Sequence, residues 1–137
     1  EILVKMGSIA TYKLSVEDTA FGDASLDQFI TETLRWMTKV TWLDLNLSGT
    51  RVTENGIKDL LLKLPKRLSG FALTLGRNMQ IGDECLEYFV RHKFYKMDQL
   101  GYLEIGVDNT VVSPQMKTDI QHIKGLVEAN GRVRRLF

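Results

Sequence analysis

Hydrophobic and polar residues alternate strictly in one short stretch of the chain. Between Leu43 and Ser48, leucine occupies every second position, and aspartate, asparagine and serine fill the positions between them. A period of two gives a β-strand one apolar and one polar face. After a short bend, Ile57, Leu60 and Leu61 follow at the spacing of an amphipathic helix. The stretch therefore predicts one strand, one bend and one helix.

This strand, bend and helix pattern occurs four times. Successive strands begin 31, 28 and 32 residues apart, which leaves room for a full helix in each unit. A fifth start, 33 residues after the fourth, is indicated because an apolar residue precedes it by three positions, as in the other units. The predicted strand starts are Tyr12, Leu43, Phe71, Leu103 and Leu136.

Two kinds of α/β fold show alternating strands and helices, a repeat and a doubly wound domain. The strands of a doubly wound sheet are covered on both faces and contain continuous apolar runs. Here the apolar strand residues alternate with Asp, Asn, Ser, Thr and Glu. The alternation therefore favours a repeat with a parallel sheet that leaves one face open.

Units of this length and pattern resemble leucine-rich repeats of the ribonuclease-inhibitor-like class. The resemblance covers nearly the whole chain and implies a right-handed βα solenoid, with the parallel sheet on the concave side and the helices on the convex side. In that family an Asn follows the strand, but only Asn78 holds that place here, and Thr19, Thr50 and Thr110 hold the others. A hydroxyl replaces part of the amide's bonding, so a looser or differently shaped bend is expected. Residues 1–137 are interpreted as a single leucine-rich-repeat domain of about four repeats plus the start of a fifth, a fragment of a larger protein.

Capping residues predict where several helices begin and end. Asp23 or Ser25 is expected to cap the first helix, and Thr53 is expected to cap the second. Ser113–Pro114 predicts the start of the fourth helix, since proline is favoured at the first helical position. Asn130–Gly131 is typical of a helix end and predicts the end of the fourth.

Composition narrows the classes of function without identifying one. The formal net charge is +1, whereas nucleic-acid-binding domains are usually strongly basic, so nucleic acid is not expected as a partner. No apolar run approaches the roughly 20 residues of a membrane span, so membrane insertion is not expected. The single cysteine excludes an internal disulfide framework and favours a reducing, cytoplasmic location. The chain begins with Glu1, which suggests a processed terminus and leaves an upstream targeting signal open.

The nucleophilic and imidazole side chains form no recognisable catalytic motif. Cys85 lies where a repeat helix faces the core, so it is interpreted as a small buried hydrophobe. His92 and His122 have no cysteine or paired acids at metal-ligand spacing. We therefore expect no catalytic site, no metal and no cofactor.

The outward residues of the predicted strands form three rows across the four units. The residues of the middle row are small and polar, and each of the two outer rows contains more acidic than basic residues. A solvated sheet face is polar in any case, so a plain surface and a binding groove both fit this pattern. The binding interpretation predicts a protein partner with a basic segment. The predicted binding residues are Lys13, Ser15, Glu17, Asp44, Asn46, Ser48, Thr74, Glu104 and Asp108.

Basic residues are concentrated outside the strands. They include the runs Lys63–Arg67 and Arg91–Lys96. These runs are interpreted either as solvated helix ends and loops or as a site for an acidic partner.

We expect a non-enzymatic protein–protein interaction module, a scaffold or adaptor that binds its partner on the strand face. The final unit also resembles the repeat domain of tropomodulin and leiomodin, which implies actin pointed-end capping or nucleation as the alternative. Ile81–Leu86 is similar to repeats that follow F-box motifs in ubiquitin-ligase adaptors, but no F-box is present. An enzyme subunit is a third class, which a densely polar pocket would support. The resemblance to tropomodulin is carried by Leu103, Ile105, Asp108, Asn109, Ile120, Leu126–Asn130 and Val133–Phe137.

Overall fold

The computed structural model describes the backbone of residues 8–136 and the side chains of residues 8–130. Within that range, four strands alternate with four α-helices. The strands are β1 (Thr11–Ser15), β2 (Trp42–Asn46), β3 (Gly70–Thr74) and β4 (Tyr102–Gly106). The helices are α1 (Asp23–Glu32), α2 (Glu54–Leu62), α3 (Glu84–Tyr88) and α4 (Pro114–Leu136).

Short helical turns extend two of the helices towards the next strand. A 3₁₀ turn at Leu34–Trp36 follows α1. Helix α3 continues as a π-helical turn at Phe89–Lys93 and a 3₁₀ turn at Phe94–Lys96. None of the helices in residues 8–136 is long and apolar enough to cross a lipid bilayer.

The four strands form one parallel sheet in the order β1-β2-β3-β4. The register pairs Leu14 with Leu45, Leu45 with Leu73, and Leu73 with Ile105. These four residues are the ones that the repeat pattern aligns, so the predicted register is confirmed. Strands that are consecutive in the chain are neighbours in the sheet, as a series of βα units requires.

The apolar side chains of all four units meet in one core between the sheet and the helices. Leu45 and Leu73 are fully buried there, whereas Leu14 on the outer strand β1 is half-buried. Along β2 the inward residues are buried and the outward residues Trp42, Asp44 and Asn46 are half-exposed. The helices therefore cover one face of the sheet, and the other face is open.

The third residue after each strand adopts a left-handed backbone conformation. The four are Asp18 (φ 58°), Gly49 (φ 63°), Arg77 (φ 63°) and Asn109 (φ 59°). They are separated by 31, 28 and 32 residues, which is the spacing of the strands. The backbone therefore repeats more regularly than the side chains, because only one of these four residues is glycine.

The left-handed residues extend the pairing between units beyond the strands. The backbone N–H of Asp18 donates to the carbonyl of Ser48 at 3.0 Å, and that of Gly49 donates to the carbonyl of Gly76 at 3.0 Å. Arg77 continues the series by donating to Asp108 at 2.9 Å. Each bend is thus tied to the bend of the next unit.

The bends use two kinds of side chain, as the sequence predicted. The hydroxyls of Thr19, Thr50 and Thr110 each donate to the carbonyl three residues earlier in their own unit, at 2.6–2.7 Å. Asn78 instead donates from its amide to the carbonyl of Leu47 at 2.8 Å and accepts from the Thr50 N–H at 2.9 Å. Threonine therefore closes its own bend, whereas the buried Asn78 joins two units.

Acidic side chains join the starts of the helices. Asp23 accepts from both the N–H and the hydroxyl of Thr53 in the next unit. Asp83 accepts from the N–H of Ser113 at 2.7 Å and from its hydroxyl. Glu54 accepts from the N–H of Cys85 at 2.9 Å. These carboxylates bind backbone donors that would otherwise be left unpaired at the next helix start.

Two of the predicted helix boundaries were wrong. Gly22 holds the N-cap of α1 without a side-chain hydrogen bond, because Asp23 is the first helical residue and its carboxylate bonds to the next unit. Helix α4 continues through Asn130 and Gly131 to Leu136, so no helix end lies there and Leu136 does not open a strand. The start of α4 was correct, since the Ser113 hydroxyl accepts from the Met116 N–H at 3.1 Å.

We expect Leu45→Ala to lower the free energy of unfolding by about 2–5 kcal/mol, because it leaves a cavity in the centre of the core. Asp44→Ala, on the open face of the same strand, should cost less than about 0.5 kcal/mol. Urea denaturation followed by circular dichroism measures both. Equal losses would mean that the two faces of the sheet are assigned the wrong way round.

Asn78→Ala should cost about 1–3 kcal/mol, because it leaves the Thr50 N–H without its acceptor and removes one of the two donors to the carbonyl of Leu47. Thr19→Ala is the matched control, since its hydroxyl is exposed and bonds only within its own unit. The control should cost less than about 1 kcal/mol. Urea midpoints that fall equally in both variants would contradict a special role for the bond between units.

Candidate functional site

The open face of the sheet carries the predicted rows in the predicted register. The outer row, Lys13, Asp44, Ala72 and Glu104, and the middle row, Ser15, Asn46, Thr74 and Gly106, both align across β1 to β4. The two residues on β1 are exposed, and the other six are half-buried. We call these two rows, the aromatic row described next and the exposed carboxylates Glu17 and Asp108 beyond the strand ends the open face.

An aromatic row, which the sequence interpretation missed, borders the outer row. It contains Thr11, Trp42, Gly70 and Tyr102, which the strand register aligns. The rings of Trp42 and Tyr102 stack with their centroids 5.0 Å apart and their planes inclined by 24°. These rings belong to strands β2 and β4, so they meet above the intervening strand β3.

Gly70 makes this stacking possible. A Cβ atom on residue 70 would clash with the indole ring of Trp42. The glycine thus provides the gap in which the two rings meet. Tyr102 remains 39% exposed, so the aromatic pair is part of the accessible surface.

The strand alternation contained the signal for this row. Trp42 precedes Asp44 by two positions and Tyr102 precedes Glu104 by two, so each aromatic residue shares the face of the acidic one. The predicted strands began one residue too late, at Leu43 and Leu103, and the pair was left out of the face.

The carboxylates of the outer row are in two different states. Glu104 accepts a hydrogen bond from the Lys124 ammonium of α4 at 2.6 Å, and this bond raises the pKa of Lys124. Asp44 is half-exposed and has no ion pair among the described residues. The Lys124 ammonium thus partly offsets the charge of Glu104, whereas no such cation is paired with Asp44 among the described residues.

The third predicted row lies beyond the strand ends and contains Glu17, Ser48, Gly76 and Asp108. Ser48 is only 3% exposed, so its prediction as an accessible binding residue was wrong. It lies close under the next unit, where a Cβ on Gly76 would be 3.5 Å from its hydroxyl oxygen. Asp108 is exposed, as predicted.

Arg77 forms ion pairs with two of the carboxylates beyond the strand ends. Its guanidinium donates to Glu17 at 2.9 Å and to Asp18 at 2.7 Å, two units away. Gly49 of the intervening unit lies beneath this bridge, and a Cβ there would clash with Asp18. A bulky residue in the left-handed region is strained, and the double ion pair offsets part of that strain at Arg77.

The side chains of the middle row extend only a short distance from the sheet. The side-chain oxygen of Asn46 accepts from the Ser48 N–H at 3.1 Å, which holds the amide close to the sheet. Ser15 and Thr74 are short, and Gly106 has no side chain. An extended chain could therefore lie across this row without meeting a large side chain.

Cys85, the only cysteine of the chain, is unsuited to nucleophilic chemistry. Its side chain is buried, with Sγ 3.5 Å from the carbonyl of Gly82. Burial, and next the negative charge of Glu54, raise the pKa of the thiol from 9.0 to about 12. At pH 7 a thiol with a pKa of about 12 is ionised in only about 1 molecule in 10⁵.

The residues with described side chains include no group of three or more His, Cys, Asp or Glu placed to hold a metal ion.

We expect the Cys85 thiol to react at least about a hundredfold more slowly with a thiol reagent such as DTNB in the folded protein than in denaturant, because burial blocks access and disfavours the thiolate. Because there is one cysteine, the released chromophore reports on this site alone. Rapid modification of the folded protein at neutral pH would contradict the buried, un-ionised state.

The raised pKa of Cys85 also predicts how stability changes in the alkaline range. A folded pKa above the unfolded one means that the folded state keeps the proton to a higher pH. The thiol's contribution to stability should therefore be present below about pH 9 and be lost towards pH 12.

Comparison with known proteins provides no family on which to base a function. The chain matches none of the protein-family models, none of the curated proteins and none of the solved structures with which it was compared. Its function must therefore be inferred from the geometry and the chemistry of its own surfaces.

Proposed function

We propose that the chain is a non-enzymatic protein–protein interaction module, a leucine-rich-repeat-like solenoid that binds a partner on the open face. The observation that carries the proposal is a parallel sheet with one uncovered face. Parallel sheets in globular proteins are nearly always covered on both faces. A parallel sheet with an accessible polar face is typical of solenoids, which use such faces for binding.

The chemistry of the open face favours a partner segment that carries arginine or lysine. Asp44 is half-exposed without an ion pair among the described residues, and it lies one row from the stacked rings of Trp42 and Tyr102. A guanidinium stacked on an aromatic face gains about 0.5–1 kcal/mol at an exposed site, and a neighbouring carboxylate adds to that. Large aromatic residues are also the commonest anchors of protein interfaces. The binding site therefore consists of Lys13, Ser15, Asp44, Asn46, Thr74, Glu104 and Asp108, with Trp42 and Tyr102 added.

The size of the face indicates a linear segment and not a second globular surface. Four strands about 4.8 Å apart, with three outward residues each, cover roughly 300 Å². A standard interface between folded domains buries about 800 Å² on each partner. An extended segment that crosses the small middle row fits the smaller area.

Actin binding by a tropomodulin-like domain is the alternative function. Leu103, Ile105 and Ile120, which carry part of that resemblance, are buried. Any strand and helix unit needs apolar residues at such positions, so they do not distinguish actin from another partner. Val133–Phe137, the other part, lies outside the residues whose side chains are described. Co-sedimentation with filamentous actin tests the alternative directly.

We expect Asp44→Lys together with Asp108→Lys to weaken the binding of a labelled, arginine-rich peptide by about tenfold or more, because two attractive charges become repulsive. Fluorescence anisotropy measures the affinity. Trp36→Phe leaves Trp42 as the single tryptophan, so its emission should change when the peptide binds.

Asp27→Lys together with Glu128→Lys is the matched control. Both residues are exposed on helices, and the pair changes the net charge equally. The control should bind more than the open-face variant at every salt concentration. Equal binding of the two variants, or an unchanged Trp42 emission, would move the partner site away from the open face.

A further inference from the structure

Basic residues are concentrated at one edge of the molecule. The connections from helix to strand, residues 33–41, 63–69 and 89–101, carry eight cations and one carboxylate, although the whole chain has a net charge of only +1. In a series of parallel βα units these connections all lie at the edge where the strands begin. We call them the basic edge.

Helix C-termini attract cations, but this explains only part of the charge. Arg67 donates to the carbonyl of Met37 at 2.5 Å, and Lys93 donates to the carbonyl of Leu62 at 2.9 Å. Each of these cations bonds to a carbonyl at the end of the preceding unit's helical segment, as the helix dipole favours. Arg35, Lys66 and Lys96 have no ion pair among the described residues.

The sequence left an acidic-partner site open on both basic runs, Lys63–Arg67 and Arg91–Lys96, and the structure disfavours the second run as its centre. Arg91 is paired with Glu87 at 3.0 Å and with Asp119 at 2.7 Å, so its charge is satisfied within the chain. Lys93 is only 5% exposed, and burial followed by the nearby charges of Lys66 and Lys96 lowers its pKa. Neither residue is available as a main contact for a partner.

Part of the basic edge lines a cleft between the first two units. The cleft has a volume of about 420 Å³. Its apolar lining comes from Ile30, Leu34 and Pro65, and its cations are Arg35, Lys63 and Arg67. Lys63 is paired with Asp59 at 3.1 Å on the exposed side of α2, which leaves the two arginines as the strongest charges.

An aromatic side chain stands beside this cleft. The Arg35 guanidinium lies 5.3 Å from the ring centre of Trp36, and Trp36 is 39% exposed. The cleft therefore combines an apolar floor, a cationic rim and a flat aromatic surface. A pure phosphate ligand would use the rim and leave the floor empty.

We propose that the basic edge is a second binding site, for an acidic segment of a protein partner that places one hydrophobic side chain in the cleft. Carboxylates of the segment pair with Arg35 on the rim of the cleft and with Lys66, which lies between the lining residues Pro65 and Arg67 in the chain. The recessed apolar floor favours an inserted side chain over a flat lipid surface, and the clustered positive charge favours acidic residues around it. This site is distinct from the open face and does not depend on the function proposed for it.

A labelled peptide in which glutamates flank one central leucine is the probe. In a Trp42→Phe background, Trp36 is the only tryptophan, so its emission reports on this site. We expect saturable anisotropy, a change in Trp36 emission and an affinity that falls as salt rises. Arg35→Glu together with Lys66→Glu should weaken binding by about tenfold or more.

Lys58→Glu together with Lys117→Glu is the matched control, because both are exposed helix residues and the net charge changes equally. It should bind more tightly than the cleft variant, and circular dichroism should show both folded. Thr31→Phe, which fills the cleft from α1, should also weaken binding while it leaves the charges in place and Trp36 as the single tryptophan.

Three results would overturn the proposal. The first is equal binding of the cleft and control variants, which would mean that only net charge matters. The second is equal binding of a peptide with serine in place of leucine, which would remove the anchor. The third is binding to anionic phospholipid vesicles or a DNA duplex without binding to the peptide. A peptide of lysines around leucine tests the open face separately in the Trp36→Phe background, in which Trp42 is the reporter.

Discussion

In each unit the third residue after the strand adopts a left-handed backbone conformation, and the register of the sheet depends on this residue. A single strand and helix cannot bury its own apolar face, so the units are stable only when their leucine rows coincide. The N–H groups of Asp18, Gly49 and Arg77 fix that coincidence by donating to the next unit. Asn78 and the carboxylates Asp23 and Asp83 repeat the same connection with side chains. Packing and hydrogen bonding therefore require the same alignment.

On the open face, contacts that stabilise the fold compete with the binding that we propose for it. Lys124 and Arg77 reach carboxylates of the face from other elements and satisfy them within the chain. A basic partner must displace these cations or use Asp44 and Asp108 instead. Exposed ion pairs contribute only about 0–1 kcal/mol each, so displacement is feasible. The internal cations thus select partners whose charges are placed to match the carboxylates that remain.

The features that follow from local periodicity were predictable from the sequence, and those that depend on distant elements were not. The alignment of Leu14, Leu45, Leu73 and Ile105 follows from alternation and spacing alone, and the strand register confirms it. The burial of Ser48 depends on the next unit, which closes over it, and no local pattern contains that information. The Glu104–Lys124 pair joins a strand to a helix 20 residues later. Lys93 was interpreted as part of a solvated basic run or of a site for an acidic partner, but it lies in the π-helical turn and is buried.

The separation of charge between the two ends of the strands gives the molecule an electric dipole that its net charge conceals. The connections from strand to helix, with the first residue of each following helix, carry seven carboxylates and two cations, opposite the basic edge. The two edges are at least a strand length apart, about 16 Å for five residues. A charged molecule within a Debye length of about 8–10 Å therefore exerts a torque on this dipole. The protein turns relative to that molecule before contact, so diffusion brings the two together in one preferred orientation and fewer collisions are unproductive.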